Sequence, residues 1–577
     1  MSSRNEQLNF NLIPLGSVPR TRSHDSLEIQ FEPANSNDTK LATEHSRIQI
    51  ESLPHPQPVP PSSKSASVNI EADLEINYLH GGRLAMLTLA LMSGLFTHAL
   101  DSSIISTAIP RITSDFKSLE DVGWYGSAYL LTQMSLQPSF GKIYTFFNIR
   151  TVYVSVLLIF EIGSIICALA PNSMTFIIGR AVAGIGASGM FCGQMTILRY
   201  TVTTRKRPLV MSITGSVYAL SAVLGPLVGG LLTDSKLTWR FCFWLNLPFG
   251  AMAIIVIFWT LKPPAMNANL TLRQKIQRLD FLGALLLISA IVCLILALQW
   301  GGTVYSWSYS KVWGTLLGFG TILTMFILSQ AYFKDKAMIQ PQLITQRTVI
   351  SSCLFISFIQ MGMLSQSYFM PFYFQAVKGT TAAASGLRTL PYGISTAICS
   401  LISGALVTRF GYYVPFMWVG ASFYVIGSCL LHTLTPGSSM TEWFPFEVIS
   451  GAGYGLSLQI GFVAVQNVLR LEDTPMGTSL TIFAQSLGGS LGLSIGNNIF
   501  TSSLSQHLKK IPGIDAATVI RGGATRVRDI VPSELLGSVL QAYDTSVTNV
   551  FILAAVGGAC AGLASLGMEW RKIENRA

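Results

Sequence analysis

The chain contains repeated apolar segments of about twenty residues, which begin at Leu84 and continue to Met568. A bilayer has a hydrocarbon core about 30 Å thick, and an α-helix needs about 20 apolar residues to cross it. Only 11% of the residues are charged, whereas an ordinary soluble domain has roughly a quarter. A soluble fold could not cover so much apolar surface. The sequence therefore predicts an all-α polytopic membrane protein.

These segments predict fourteen transmembrane helices. The first six lie at 84–107, 122–140, 151–170, 174–198, 209–232 and 241–261. Two more lie at 281–299 and 312–332, and the last six at 349–374, 384–407, 414–434, 444–468, 476–500 and 546–568.

Lys and Arg residues follow every second predicted helix, and the loops between these basic loops are poorer in positive charge. Basic loops stay on the cytoplasmic side of a membrane, so both termini are predicted to be cytoplasmic. Loop 501–545 is basic but is predicted to be extracellular, because long loops follow the charge rule less strictly. The net charge of +10 is thus spread over loops, and no nucleic-acid partner is expected.

The predicted organisation has two halves. Residues 1–80 are polar and rich in Ser and Pro, which predicts a disordered cytoplasmic tail. The remaining parts are an N-terminal six-helix bundle at 84–262, a linker with two extra transmembrane helices at 263–346, a C-terminal six-helix bundle at 347–568 that includes loop 501–545, and a cytoplasmic tail at 569–577.

An internal repeat supports the two halves. The segment GKIYTFFNIR begins at Gly141, and the similar segment GALVTRFGYYVP begins 263 residues later, at Gly404. Both begin with Gly near a helix end and turn through a short basic link. Two six-helix halves with a binding site between them are a recurring transporter architecture.

Several kinds of chemistry find no support in the sequence. The eight Cys and seven His residues are dispersed and show no metal-ligand spacing. There is no GxxxxGK[ST] phosphate-binding sequence. We therefore predict a protein without a cofactor or metal that is neither an enzyme nor driven by ATP.

The segment LDSSIISTAIPRI (100–112) resembles the first-helix signature of the fourteen-span drug:H+ antiporters of the major facilitator superfamily. GRAVAGIGASG (179–189) resembles the fourth-helix motif of the superfamily, and SAVLGPLVGG (221–230) its fifth-helix antiporter motif. WRFCFWLNLPFG (239–250) is a further match, and YFMPFYFQAVKGTTAAASGLRTLP (368–391) is typical of fungal members. The resemblance covers the chain from Leu84 onward and implies a fungal multidrug or toxin efflux pump with the major facilitator fold.

The resemblance implies proton-coupling roles for Asp101 and Arg180, and Glu161 is a further candidate because it lies within an apolar run. An ionised acid in hydrocarbon costs roughly 2.5–3.5 kcal/mol on insertion scales, so Asp101 is expected to face a water-filled cavity. The alternatives are an acid at a wet helix end for Asp101, an arginine that extends to the membrane surface for Arg180, and a static hydrogen-bonding partner for Glu161. His98 lies one helical turn before Asp101, and a wet helix end is its simpler interpretation.

Ser221, Gly225, Pro226, Gly229 and Gly230 form the expected antiporter motif. Glycines spaced three or four residues apart allow a neighbouring helix to pack closely. Pro226 removes a backbone hydrogen bond and is expected to bend the helix. Close packing without a transport role is the alternative, and Ser221 replaces a residue that is often Gly in the family.

The predicted cytoplasmic gating loops contain Gly141, Lys142, Arg150, Gly404, Arg409 and Gly411. Family members commonly have Asp where this chain has Thr145 and Gly where it has Asn148. Because that Asp helps to latch the two halves in the family, a charged latch is in doubt here. Lys142 and Arg150 are alternatively solvated charges that only set the orientation.

The substrate-binding candidates are aromatic and amide residues, which suit amphipathic molecules. They are Trp124, Tyr125, Gln366, Tyr368, Phe369, Gln375, Gln459 and Gln466. Aromatic belts at the membrane surface and hydrogen bonds between helices use the same residue types, and this is the alternative for each of them.

The sequence therefore predicts a plasma-membrane transporter, acting as a monomer, that exports small amphipathic molecules in exchange for protons. Its expected partners are the substrate, protons and the lipid bilayer. The alternatives are uptake or vacuolar transport of siderophores or amino acids, with a vacuolar location, and a membrane receptor that does not transport its ligand.

Overall fold

The computed structural model describes residues 78–118, 121–262, 270–301, 305–516, 518–520, 527–528 and 530–573, with a few side chains inside helices left out. The predicted disordered tail at 1–80 falls almost entirely outside these residues, and the C-terminal tail is described as far as Ile573.

Fourteen long helical segments account for most of the described residues. They are α1 Gly81–Phe116, α2 Val122–Phe146, α3 Ile149–Leu169, α4 Ser173–Thr201, α5 Arg207–Asp234, α6 Phe241–Thr260, α7 Phe281–Trp300, α8 Ser310–Phe333, α9 Arg347–Phe372, α10 Leu390–Phe410, α11 Val414–His432, α12 Met440–Val468, α13 Thr474–Leu508 and α14 Ser533–Ser565. A π-helical turn at Tyr373–Val377 continues α9. Within the described residues, eleven of these segments are long and apolar enough to cross a membrane.

The helix ends differ from the predicted ends where a helix continues past its apolar part. Helix α1 continues to Phe116, beyond the predicted end at 107. The predicted loop 501–545 is too long, because α13 continues to Leu508 and α14 begins at Ser533. Hydropathy detects only the part of a helix that matches the hydrocarbon core, whereas backbone hydrogen bonds can extend the helix into water.

The two halves, α1–α6 and α9–α14, repeat the same helix crossings. A Cβ atom added to Gly184 on α4 would lie 2.4 Å from the carbonyl oxygen of Tyr129 on α2. One added to Gly451 on α12 would lie 2.4 Å from the carbonyl oxygen of Tyr392 on α10. Only glycine permits such a close backbone approach. The α2–α4 crossing therefore recurs as the α10–α12 crossing, at close to the sequence spacing of the Gly141/Gly404 repeat.

The extra pair, α7 and α8, packs across the line where the halves meet. Leu287 and Ile291 of α7 share an apolar cluster with Met134 of α2, and Phe483 and Leu487 of α13 pack against that cluster. Asp280 holds one end of the pair, because its carboxylate accepts hydrogen bonds from Gln330 on α8 (2.7 Å) and from the backbone of Met338 (3.0 Å). The pair is thus bound to both halves.

Candidate functional site

A buried ion pair lies in the N-terminal half. Arg180 Nη1 on α4 is 2.7 Å from Asp101 Oδ2 on α1, and both side chains are only 1% exposed. Asn246 on α6 donates a hydrogen bond of 3.3 Å to Asp101 Oδ1, and Arg180 Nε donates one of 3.0 Å to the Tyr125 carbonyl oxygen. Buried charges are tolerated when they are paired and their remaining polar atoms are also bonded. These contacts meet that requirement.

Aromatic side chains enclose the pair. The guanidinium of Arg180 lies over the Tyr129 ring, with Cζ 4.3 Å from the ring centroid. The Tyr129 hydroxyl is 2.7 Å from His98 Nδ1, and His98 is buried. The wet helix end considered for Asp101 and His98 is therefore wrong for this conformation, as is an Arg180 that reaches the membrane surface. Asp101 also does not face a water-filled cavity in this conformation, because its side chain is only 1% exposed and its carboxyl oxygens contact Arg180 and Asn246.

Glu161 lies on α3, outside the ion pair. Its side chain is 7% exposed, and neither carboxyl oxygen has a hydrogen-bond partner among the described residues. A Cβ atom added to Gly250 on α6 would lie 1.8 Å from Glu161 Oε1, so the carboxyl group fills the space left by this glycine. The structure thus gives no support to a static hydrogen-bonding role for Glu161.

The antiporter motif lies on α5, where it packs against α1. A Cβ atom added to Gly225 would lie 1.9 Å from Ser103 Oγ, two residues after Asp101. Ser221 is buried and its hydroxyl donates to the Val217 carbonyl oxygen at 2.6 Å. Gly229 is also buried, whereas a Cβ atom at Gly230 would meet nothing within 4 Å. The Pro226 side chain is outside the described part, so the bend expected there stays a prediction.

Replacing Gly225 with Ala is expected to reduce transport and to destabilise the folded protein by about 1–3 kcal/mol, because the methyl group collides with Ser103 on the helix that carries Asp101. The control is Gly230→Ala on the same helix, which adds the methyl group to open space. Efflux and thermal unfolding of the two purified variants are the measurements. Equal behaviour of the two variants would contradict a specific α1–α5 contact.

The two repeated glycines of the gating loops lie where the halves touch. A Cβ atom at Gly141 on α2 would lie 2.1 Å from Ser479 Oγ on α13. A Cβ atom at Gly404 on α10 would lie 2.3 Å from Ser212 Oγ on α5. Ser479 follows Ser212 by 267 residues, so the two contacts are equivalent by the repeat. Each glycine lets one half approach the other.

The charged loop residues take different positions. Lys142 is 1% exposed, and its ammonium group donates to the carbonyl oxygens of Arg278 (3.1 Å) and Lys336. Lys142 therefore makes a buried contact with the segments that flank α7 and α8. Its interpretation as a solvated charge is wrong. Arg150 is half-buried, and its guanidinium lies 3.5 Å from the carbonyl oxygens of Phe258 and Leu261.

The residues that replace the family's usual Asp and Gly have local roles. The Thr145 hydroxyl donates to the Gly141 carbonyl oxygen at 2.9 Å, within α2. Asn148 caps the start of α3, because its side chain accepts from the backbone of Arg150 and Thr151. Gly411 ends α10 with φ +80°, a conformation that favours glycine. Arg409 is exposed beside Phe410.

Hydrogen bonds connect the halves at this same end. Gln466 on α12 donates 3.2 Å to the Met195 carbonyl oxygen on α4. The Tyr200 hydroxyl donates 3.1 Å to the carbonyl oxygen of Leu471. Arg199 lies 3.4 Å from the carbonyl oxygen of Leu469. The halves are thus closed at the end that the loop charges predict to be cytoplasmic, and Gln466, Tyr200 and Arg199 hold this end by donating to backbone carbonyl oxygens.

The substrate candidates do not form one site. Gln466 holds the closed end, Tyr125 supports Arg180, and Gln366 is bound by Ser428 and Ser450. Phe369 is buried in the C-terminal half, whereas Trp124 and Tyr368 are 40% and 49% exposed. Gln375 lies in the π-helical turn. Gln459 alone faces the opposite half at mid-helix, because a Cβ atom at Gly215 would lie 2.2 Å from its Nε2.

Aromatic residues that the sequence interpretation missed lie beside Gln459 at this boundary. Phe191 on α4 makes an edge contact with Phe462 on α12, with ring centroids 5.5 Å apart. Tyr218 on α5 stacks on Phe191 (6.4 Å) and lies 6.1 Å from His98. Asn246 was also missed, although it falls inside the motif at 239–250. These rings and amides connect the ion pair to the boundary between the halves.

A separate cavity of about 800 Å³ lies in the C-terminal half, beside the start of α10 and α12. Trp443, Phe444 and Val448 line it from α12, and Ile394 and Ser395 from α10. Arg388 and Lys378 lie at its rim, where Arg388 stacks on the Trp443 ring. None of the substrate candidates lines it.

Comparisons with known proteins agree with this geometry. Residues 91–493 match the Major Facilitator Superfamily. The chain is 48% identical to the MFS-type transporter ltbE of Aspergillus luteorubrus over 86% of its own length and 91% of that protein. It is 40% identical to the MFS-type efflux pump MFS1 of Trichophyton rubrum over 89% of its own length and 96% of that protein.

Two solved structures share the fold. The human organic anion transporter MFSD10 (TETRAN) matches 83% of this chain and 100% of its own, with a TM-score of 0.54 and 14% identity. The proton:xylose symporter XylE matches 82% of this chain and 94% of its own, with a TM-score of 0.53 and 15% identity. With its two repeated six-helix halves and its relatives among fungal efflux pumps, the chain belongs to the major facilitator superfamily and is a multi-pass membrane transporter rather than an enzyme.

Proposed function

We propose that this transporter exports small amphipathic organic molecules across the plasma membrane in exchange for protons, with both termini in the cytoplasm. The observation that carries the proposal is the buried Asp101–Arg180 pair, next to the helix that contains the antiporter motif. The direction of transport follows from relatives that are named efflux pumps, among them the aspyridones efflux protein of Neocamarosporium betae, 39% identical over 86% of this chain.

The pair supplies a proton switch for this function. With Asp101 ionised, the attraction between the two charges joins α1 to α4 at 2.7 Å. A proton on Asp101 removes this attraction and leaves the Arg180 charge without its partner, which favours a different arrangement of the helices. Proton binding and helix arrangement are then linked, because each state of Asp101 stabilises a different conformation.

The substrate route fits amphipathic molecules. The boundary between the halves brings together Phe191, Tyr218, Phe462 and Gln459, which combine apolar surface with an amide. Binding pockets for such molecules are mostly apolar with a few polar groups that fix orientation. The closed end held by Gln466 and Gly141 would have to open for a molecule to enter from the cytoplasm.

Replacing Asp101 with Asn is expected to abolish gradient-driven efflux, because Asn keeps the shape but cannot exchange a proton. The variant also leaves the buried Arg180 charge without its anion, so the amount of folded protein is measured beside efflux. The measurement is efflux of a fluorescent amphipathic dye from yeast without its own drug pumps, with and without a protonophore. Asp115→Asn, on the same helix but 38% exposed, is the control. Wild-type efflux that survived the protonophore would refute proton coupling, and a fusion to a fluorescent protein would separate plasma-membrane from vacuolar location.

A further inference from the structure

A second buried acid lies in the C-terminal half, at a position that the internal repeat relates to Arg180. Glu447 follows Arg180 by 267 residues, and each is the eighth residue of its helix, counted from Ser173 in α4 and from Met440 in α12. Four residues further on, Gly184 and Gly451 make the equivalent close crossings with α2 and α10. The two side chains therefore begin from matching places in the two halves.

The residue that corresponds to Asp101 in this half is uncharged. Gln366 on α9 follows Asp101 by 265 residues. Its carbonyl oxygen accepts hydrogen bonds from Ser428 (3.4 Å) and Ser450 (2.9 Å), as the Asp101 carboxylate accepts from Arg180 and Asn246. In the C-terminal half, the acid Glu447 thus takes the position of the base Arg180. The amide Gln366 takes the position of the acid Asp101. Because Gln366 is uncharged, Glu447 does not have in α9 the charged partner that Arg180 has in α1.

The surroundings of Glu447 contain no cation that pairs with it. Its side chain is 1% exposed, and neither carboxyl oxygen has a hydrogen-bond partner among the described residues. The titratable group that interacts with Glu447 is the phenol of Tyr392 on α10, and the backbone of Tyr392, at the start of α10, also lies beside the carboxyl group. Gln366 is the polar group on α9.

The charged groups at the same end of the bundle are engaged elsewhere. Arg388 stacks on Phe374 and Trp443, and Lys378 donates to the carbonyl oxygens of Pro436 and Ser438. Glu442 is exposed. Taking an ionised carboxylate out of water without a partner costs several kcal/mol, whereas the protonated form is tolerated.

We propose that Glu447 is a second proton-binding residue of this transporter, protonated in the conformation described and ionised in another stage of the cycle. The proposal rests on proton-coupled export and adds one proton, carried by the C-terminal half, to the one at Asp101. The carboxyl O–H bond forms when Glu447 takes a proton from water, and the proton returns to water when the helices around it rearrange.

The cavity of about 800 Å³ beside the start of α10 and α12 supplies a route for that exchange. Trp443 and Val448 line the cavity, one turn before Glu447 and directly after it on α12. Ser395, on the facing helix α10, also lines it, and a Cβ atom at Gly451 would lie 2.2 Å from Ser395 Oγ. A small movement of α12 against α10 would therefore connect the carboxyl group with the cavity.

Infrared difference spectroscopy of the full-length protein in lipid nanodiscs tests the proposal without a transported substrate. A protonated carboxyl group has its own C=O stretching band, which shifts when its proton is exchanged for deuterium. We expect the wild type to show such a band, exchangeable in D2O and lost on raising the pH, and E447Q to lose that component. E442Q, with an exposed acid removed from the same helix, and D101N should keep it.

Each outcome decides the proposal. A band that E447Q leaves unchanged would mean that Glu447 is ionised in the folded protein, held by the backbone at the start of α10, and would overturn the proposal. A band that neither exchanges in D2O nor titrates would make Glu447 a permanently neutral packing residue, with the same consequence. Unfolding temperatures of E447Q and E447D establish that a lost band is not a lost fold. Failure of proton-coupled efflux itself would appear in the protonophore experiment and not in this spectrum.

Discussion

Replacing Arg180 with Ala is expected to abolish efflux and to lower the free energy of unfolding by about 3–5 kcal/mol, because the Asp101 charge is left buried without its partner. Both side chains are 1% exposed, so water cannot compensate for the lost cation. The substitution also removes the contact of the guanidinium with Tyr129 and its hydrogen bond to the Tyr125 carbonyl oxygen. Unfolding by SDS in mixed micelles and dye efflux from cells are the measurements.

The chain supplies a matched control on α1. Arg111 and Asp115 form an ion pair of 3.8 Å, with side chains 67% and 38% exposed. Because solvent screens such pairs, Arg111→Ala should cost less than about 1 kcal/mol. The double variant D101N/R180M, in which no charge remains buried, should recover most of the stability but none of the coupled transport. If Arg180→Ala and Arg111→Ala had equal effects, the buried pair would have no special role.

The helices could be predicted from the sequence because crossing a bilayer imposes a minimum apolar length that composition alone reveals. The ends of the helices could not be predicted in this way. Helix α1 continues past its apolar part to Phe116, and α14 begins before its apolar part, at Ser533. The repeat was visible at Gly141 and Gly404 because close contacts between helices admit only small residues. The fold thus follows largely from local composition.

The site was only partly predictable. Asp101 and Arg180 stand out as charges in apolar helices, and the structure brings them together. Asn246 and the Tyr125 carbonyl oxygen complete the pair through contacts across helices, which no local pattern reports. The sequence makes Gln466 a substrate-binding candidate and leaves a hydrogen bond between helices as the alternative, because an amide in a membrane helix suits either role. Its bond to the Met195 carbonyl oxygen places it at the closed end.

The closed end of the transporter depends on small residues, and enlarging one should open it. Replacing Gly141 with Val places a side chain where the Ser479 side chain and the α13 backbone lie within about 3 Å of an added Cβ atom. Overpacking of this kind costs about 1–3 kcal/mol, and about 1.4 kcal/mol changes a two-state ratio tenfold. We therefore expect a shift toward the open form of this end and a loss of efflux, because the cycle requires it to close.

A native cysteine reports this opening. Cys192 on α4 is buried, and its Sγ lies 3.7 Å from the Pro475 carbonyl oxygen on α13, so the opposite half covers one side of it. Its alkylation by N-ethylmaleimide, followed by peptide mass spectrometry, should be faster in Gly141→Val than in wild type. Gly126→Val, on the same helix with open space around an added Cβ atom, should leave the rate unchanged. If Gly141→Val kept the wild-type alkylation rate and still lost efflux, the glycine would act on the substrate path and not on closure, since separation of the halves is the step that exposes Cys192.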